Sequence, residues 1–302
     1  MMAPLPKLIC IVGPTASGKT ELAIHLAKKF KGEIVSADSR QIYRGMDIGT
    51  AKPTEAEKKA VAHFLVDTKK PNTSYTVGQY KKDSIRAIAD ILSRKKVPFL
   101  VGGTGLYVSA VVNNLEFPKV KPSPRLRKKL EDELQKHGLN YLFGKLTALD
   151  PEAAYVVDPK NPRRVIRALE VTLKTRKPFT QQRRRGDRIF DSLILGISRD
   201  GAQLQSRITK RTKQMLRSGL LNETSRLVKR YGFHQVAFDA IGYRETIAHL
   251  LGRITLAEAE REINKNTIRY AKRQMTWFRK MPVVWVKNAK ETEEQIVKFL
   301  GN

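Results

Sequence analysis

The chain has 302 residues, with 58 Lys+Arg against 29 Asp+Glu and a formal net charge of +29. Its length and 41% hydrophobic content exclude a disordered polyelectrolyte and leave room for one large domain with a smaller insert. A single cysteine, Cys10, excludes a disulfide scaffold and a zinc site built on several thiolates. No secretory leader is visible in residues 1–7, and no apolar run reaches the roughly 18–20 residues of a membrane span. We therefore expect a cytoplasmic protein of a reducing compartment. Its charge calls for an anionic partner, nucleic acid first and a membrane surface second.

Lys7–Val12 is a short apolar run ending in glycine, which predicts a buried parallel strand. Residues 21–27 have helical spacing, and 33–37 form a second predicted strand ending at Asp38. Residues 79–95 predict a helix with Ile85, Ile88, Ala89 and Leu92 on one face. A third strand, 97–101, is closed by Gly102-Gly103-Thr104-Gly105. This alternation predicts an α/β fold whose parallel sheet binds ligands at the carboxyl ends of its strands. The Pro-rich stretch 117–124 reads as a linker, and 125–178 as helical. A strand at 192–197 rejoins the sheet, followed by helical regions 202–231 and 255–280 and a last strand at 283–286. We expect a core domain of residues 1–113 and 189–302, and a mainly helical insertion domain of residues 114–188. No internal repeat is present.

The charge is uneven. Residues 1–110 carry 18 basic and 9 acidic side chains, residues 119–188 carry 19 and 8, and residues 261–280 carry 7 and 1. In the last segment Arg261, Lys265, Arg269 and Arg273 recur every four residues, opposite Ile268, Ala271, Met275 and Phe278. That pattern predicts core packing on one side and phosphate contact on the other.

Gly13-Pro14-Thr15-Ala16-Ser17-Gly18-Lys19-Thr20 fits G-x-x-x-x-G-K-[ST], between a predicted strand and a predicted helix. Backbone amides of Ala16 to Lys19 are expected to hold phosphate oxygens. Lys19 would neutralise them, and the Thr20 hydroxyl would ligate Mg²⁺. The fold class that follows is a P-loop NTPase-like parallel sheet flanked by helices. The third strand ends in Gly-Gly-Thr and not in the aspartate of a triphosphatase, so a bound diphosphate leaving group is as reasonable as a nucleoside triphosphate. A P-loop kinase of a nucleotide or metabolite stays open at this point. Asp38, beside the P-loop crevice, could hold metal, position an amine or accept a proton. The five histidines, His25, His63, His137, His234 and His249, have no metal-ligand spacing and read as structural or surface residues.

Six blocks in order, GPTASGKT, ADSRQIYRGMDIGTAKP, VPFLVGGTGLY, DPKNPRRVIRALEV, AIGYRE and RYAKRQMTWFR, resemble the bacterial tRNA dimethylallyltransferase (tRNA isopentenyltransferase) family over about the whole chain. The resemblance implies transfer of a dimethylallyl group from dimethylallyl diphosphate to the N6 amine of the adenine next to the anticodon on its 3′ side. A free-nucleotide isopentenyltransferase acting on AMP is the alternative within the same chemistry. Matching positions imply Asp38, Thr104 and Arg211 as catalytic residues, and residues 13–20 as the diphosphate cradle. They imply tRNA contacts from Asp38, Ser39, Arg40, Gln41 and Thr104, with Gln41 reading an extruded base. Further tRNA contacts are implied at Arg127, at Arg163, Arg164, Val165, Ile166 and Arg167, and at Gly242, Tyr243 and Arg244. Mg²⁺ is the implied cofactor, tRNA and dimethylallyl diphosphate the partners, and a monomer the working state. Gln79 and Tyr80 depart from the Asp-Phe of many relatives.

Overall fold

A computed structural model describes residues 4–118, 120–182 and 185–301. Residues 1–3 of the amino-terminal reading, Lys119 of the expected linker, and Arg183 and Arg184 of the basic stretch lie outside the described residues. The chain divides into two compact units, residues 1–112 with 188–302, and residues 113–187.

The first unit begins β1 (Lys7–Val12), α1 (Lys19–Lys29), β2 (Gly32–Ser36), α2 (Glu55–Ala60), β3 (His63–Phe64), α3 (Val77–Ser93), β4 (Val97–Gly102) and α4 (Gly105–Val112). The second unit supplies α5 (Pro124–Leu149), broken at Gly138, then α6 (Ala153–Val156) and α7 (Pro162–Thr175). The first unit resumes with β5 (Asp191–Ile197), α8 (Gly201–Arg217), α9 (Leu220–Tyr231), α10 (Tyr243–Leu250), α11 (Leu256–Phe278), β6 (Val284–Val286) and α12 (Ala289–Gly301).

Among the described residues six strands form one parallel sheet in the order β3-β2-β4-β1-β5-β6. Strand alternation sorts its side chains to two faces. Leu8, Cys10 and Val12 pack with α3, α4 and Phe278 on one face, while Ile9 and Ile11 pack with α1 and Ile296 on the other. Both faces are covered, so the strands are apolar throughout. A third cluster joins Ile42, Tyr43 and Met46 to α9, α10 and α11. The second unit has its own core of Leu130, Leu142, Leu146, Ala153, Val165, Ile166 and Leu169.

Several expectations are corrected. α3 starts at Val77, because Thr76 and Gln79 form a reciprocal cap, each receiving a bond from the other's backbone. Its buried face is Tyr80, Ser84, Ala87, Ile88 and Ile91, with Ala89 exposed. Gln79 therefore caps a helix, and Tyr80 is a core residue stacked on Tyr107. The single helical region 202–231 is two helices, separated where Gly219 takes φ +97. α2 and the two-residue β3 have no counterpart in the sequence reading.

Candidate active site

β1 delivers the P-loop to the carboxyl end of the sheet, and α1 departs from it at Lys19. The loop needs unusual backbone: Ala16 has φ 63 and Gly18 has φ 93. Two of its amides have partners within the protein. Ser17 N donates to the Pro14 carbonyl at 3.3 Å, and Thr15 N donates to Gln274 Oε1 at 2.9 Å. Ser17 Oγ is fully buried and makes no hydrogen bond.

Lys19 Nζ donates to the Pro14 carbonyl at 3.1 Å. Burial, reinforced by the positive charge of Arg211 and opposed by Asp38, lowers its pKa to about 8. Arg211 reaches in from α8, its Nη1 donating to Thr15 Oγ1 at 3.3 Å. Burial pulls this guanidinium down as well, with Asp38 opposing. Two cations are thus held in one place with Asp38 as counter-charge, which is costly until an anion arrives.

Asp38 lies two residues beyond β2. Its Oδ1 accepts from Arg40 N at 2.8 Å and Gln41 N at 3.4 Å, and Oδ2 receives neither bond. Thr104, in the turn after β4, is tied to the same loop. Its N donates to the Ala37 carbonyl at 3.1 Å, and its Oγ1 accepts from Ser39 N at 3.1 Å. Burial, and then the Asp38 charge, push the Tyr270 phenol up to about 12, and the Thr104 hydroxyl opposes them.

One cavity gathers these groups. Thr15, Lys19, Thr20 and Arg211 line it with Asp38, Gln41, Tyr270 and Gln274, and so do the apolar Ala23, Ile34, Ala51, Pro53 and Val101. The arrangement suits a ligand with an anionic head and a short apolar body, and it sets one carboxylate against both.

Sequence reasoning missed two residues here. Gln274, on α11, is 5% exposed and bridges two loops. Besides accepting from Thr15, it donates through Nε2 to the Gly103 carbonyl at 2.8 Å. A Cβ on Gly103 would stand 2.1 Å from that nitrogen, so glycine is required for the approach. The only sequence signal was its place in the RYAKRQMTWFR block. His63 on β3 also lines the cavity, although its isolation in sequence suggested a structural or surface role. Its Nδ1 donates to the Val61 carbonyl at 2.7 Å, and burial lowers its pKa, so Nε2 is a bare acceptor.

The other expected contact residues have partners within the protein or a place in its core. The Gln41 amide is held at both ends: Oε1 accepts from Ser36 Oγ at 3.1 Å, while Nε2 donates to the Thr50 and Ala51 carbonyls. Arg40 extends away to donate to the Val236 carbonyl at 2.9 Å. Tyr243 is fully buried and donates to Glu223 at 2.5 Å, a carboxylate that also collects the amides of Asp47, Ile48 and Gly49. Gly242 starts α10, its N–H bonded to Glu245, which also pairs with Arg244.

In the second unit, Val165 is fully buried and Ile166 nearly so, both within its core. Arg127 and Arg167 are engaged by the buried Glu170, at 3.0 Å from Arg127 Nε and 2.6 Å from Arg167 Nη1. Burial pushes the Glu170 carboxyl up, but bonds from Arg127, Ser123 and Arg167 outweigh it and hold it below its ordinary value. Arg163 and Arg164 are exposed on the first turn of α7. On α11, Arg261, Lys265, Arg269 and Arg273 are exposed as expected.

The family model described as IPP transferase matches residues 41–281. The chain is 43% identical to a tRNA dimethylallyltransferase of Acetivibrio thermocellus, with 98% of this chain and 96% of that protein covered. Among solved structures it is similar to the full-length tRNA isopentenylpyrophosphate transferase of Bacillus halodurans, at TM-score 0.72 and 39% identity over 98% of this chain and 95% of that one. It is also similar to a eukaryotic dimethylallyltransferase solved while acting on tRNA, at TM-score 0.76 and 29% identity over 90% of this chain and 70% of that one.

Proposed function

The chain belongs to the IPP transferase family, and on that premise we propose that it is a tRNA dimethylallyltransferase. It transfers the dimethylallyl group of dimethylallyl diphosphate to the N6 amine of the adenine 3′-adjacent to the anticodon, releasing diphosphate. The observation that carries this reading is the single cavity in which Lys19 and Arg211 face Asp38 beside an apolar wall.

Bond breaking between the allylic carbon and the diphosphate oxygen leaves charge on the leaving group. Lys19, Arg211 and the loop amides are in place before the reaction to stabilise that charge. The adenine amine is a poor nucleophile, because its lone pair is delocalised into the ring. Asp38 orients it and takes its proton late, once the new N–C bond has made that nitrogen acidic. Thr104, fixed by Ala37 and Ser39, supplies a hydroxyl beside Asp38. A stacked adenine must be extruded to reach such a cavity.

Mg²⁺ belongs to this proposal. The Thr20 hydroxyl is a hard oxygen donor lining the cavity, and it fits an ion that completes its shell with diphosphate oxygens and water. When bound it would shield the diphosphate charge. Among the described residues no cluster of three His, Cys, Asp or Glu could hold a metal, so its retention would rest on the diphosphate.

The exposed Arg163 and Arg164 support a role of the second unit in holding the anticodon stem through its phosphates. No helix among the described residues is long and apolar enough to cross a membrane. A monomer working in the cytoplasm, where bacterial tRNA is found, completes the reading. Incubation with labelled dimethylallyl diphosphate and either tRNA or AMP tests it. Label in tRNA is expected; label only in AMP, or phosphoryl transfer from ATP, overturns it.

A further inference from the structure

Two arginines outside the cavity lining converge on the P-loop, Arg199 from the turn after β5 and Arg207 from α8. Arg207 Nε donates to the Ala16 carbonyl at 2.8 Å, and Arg199 Nε donates to the next carbonyl, Ser17, at 3.2 Å. With both Nε atoms anchored, the outer ends of the guanidiniums meet over Gly18. Arg207 Nη2 lies 3.6 Å, and Arg199 Nη2 3.8 Å, from the point where a Cβ on Gly18 would stand. Residue 18 is glycine with φ +93, a conformation that disfavours any side chain, so both arginines can approach the loop there.

Both arginines are exposed, and among the described residues neither has an acidic partner. Asp200, the nearest carboxylate in sequence, is spent capping α8 through Ala202 N and Gln203 N. Two guanidiniums drawn to one loop repel each other, and an anion beside their remaining N–H groups relieves that repulsion. Their forks match the tetrahedral oxygens of phosphate. Lys19 and Arg211 serve the cavity within, and Arg199 and Arg207 take no part in its lining.

We propose that Arg199 and Arg207 form a second, outer anion subsite over Gly18 that takes a phosphate group. The subsite stands on this geometry alone; only the naming of its source rests on the proposed function. That reaction offers two sources, a small diphosphate and the tRNA backbone.

Calorimetric titration of the full chain with inorganic diphosphate tests the subsite. Two diphosphates per chain are expected, the outer at least tenfold weaker than the inner. Arg199→Gln with Arg207→Gln removes the charges while keeping amide donors, and should leave one site of inner affinity with little change in Tm. In parallel, binding of an anticodon stem-loop RNA is measured against salt. A shallower salt dependence in the double variant assigns the RNA backbone as the source, whether the protein binds one diphosphate or two. An unchanged dependence with loss of the outer diphosphate assigns the small anion. If the double variant changes neither diphosphate stoichiometry nor RNA salt dependence, the arginines only brace the loop and the proposal fails. Should the Gln pair unfold or lose the inner site, Arg199→Lys with Arg207→Lys decides. Retention of the second anion, or of the RNA salt dependence, supports the subsite; loss of both overturns it. Absence of prenyl transfer with both anions bound would sink the proposed function and leave the subsite standing.

Discussion

The P-loop and the arginine block of α7 are both short basic motifs with apolar neighbours, yet they use their residues differently. In the P-loop the unusual backbone at Ala16 and Gly18 shapes the turn, and Thr15, Lys19 and Thr20 line the cavity. In Pro162-Arg163-Arg164-Val165-Ile166-Arg167 a helix distributes the residues by its 3.6-residue period. Arg163 and Arg164 face out, Val165 and Ile166 enter the core, and Arg167 turns to Glu170. A block matched in sequence therefore brings side chains to one cavity in the first case, and divides them between surface and core in the second.

Asp38→Ala is the hardest test of the first half of that contrast. kcat should fall about 10³-fold, the range expected of a lost general base, while donor affinity measured by equilibrium binding stays within about threefold. Equal loss in both would remove Asp38 as the base.

Val165→Asp tests the second half. A charge placed in the core of the second unit should cost about 3 kcal/mol or more. Calorimetry should show that unit melting early while the first unit still binds diphosphate. A variant that melts normally and only loses tRNA affinity would make Val165 a contact after all.

A pH series sharpens the P-loop side. The Lys19 ammonium is present below about 8 and is lost above it. Diphosphate binding that requires the charged form should weaken about tenfold between pH 7 and pH 9, since each unit above the pKa costs a factor of ten. A flat profile over that range would detach Lys19 from the anion.

The smallest effect belongs to the outward face of α7. Arg163→Ala with Arg164→Ala should reduce the slope of log K for tRNA against log salt by roughly 1 to 2. Arg127→Ala should instead lower Tm and leave that slope in place, because it strips a partner from the buried Glu170. If the two variants behave alike, the division of labour drawn here is wrong.

The sheet was readable because β1, β2, β4 and β5 are apolar runs bounded by glycine or turn residues. β3 was not, since His63-Phe64 is too short to show alternation and owes its pairing to β2. The P-loop, Asp38 and Thr104 could be named because their chemistry depends on local backbone. Gln274 could not, because its role exists only after α11 packs against loops far away in the chain. The burial of Val165, Ile166 and Tyr243 was not legible either: a matching block says that residues belong together, and only the period of the helix or burial says which way each one points.

The bond from Thr15 to Gln274 spans 259 positions. A ribosome that has finished α4 has made the whole P-loop, Asp38 and Thr104, yet none of Arg211, Tyr270 or Gln274. The nascent chain thus carries its phosphate motif through most of its synthesis without a working cradle. On the proposed function, a diphosphate meets the complete lining only once α11 has emerged, so a late helix acts as the arming step of the first loop.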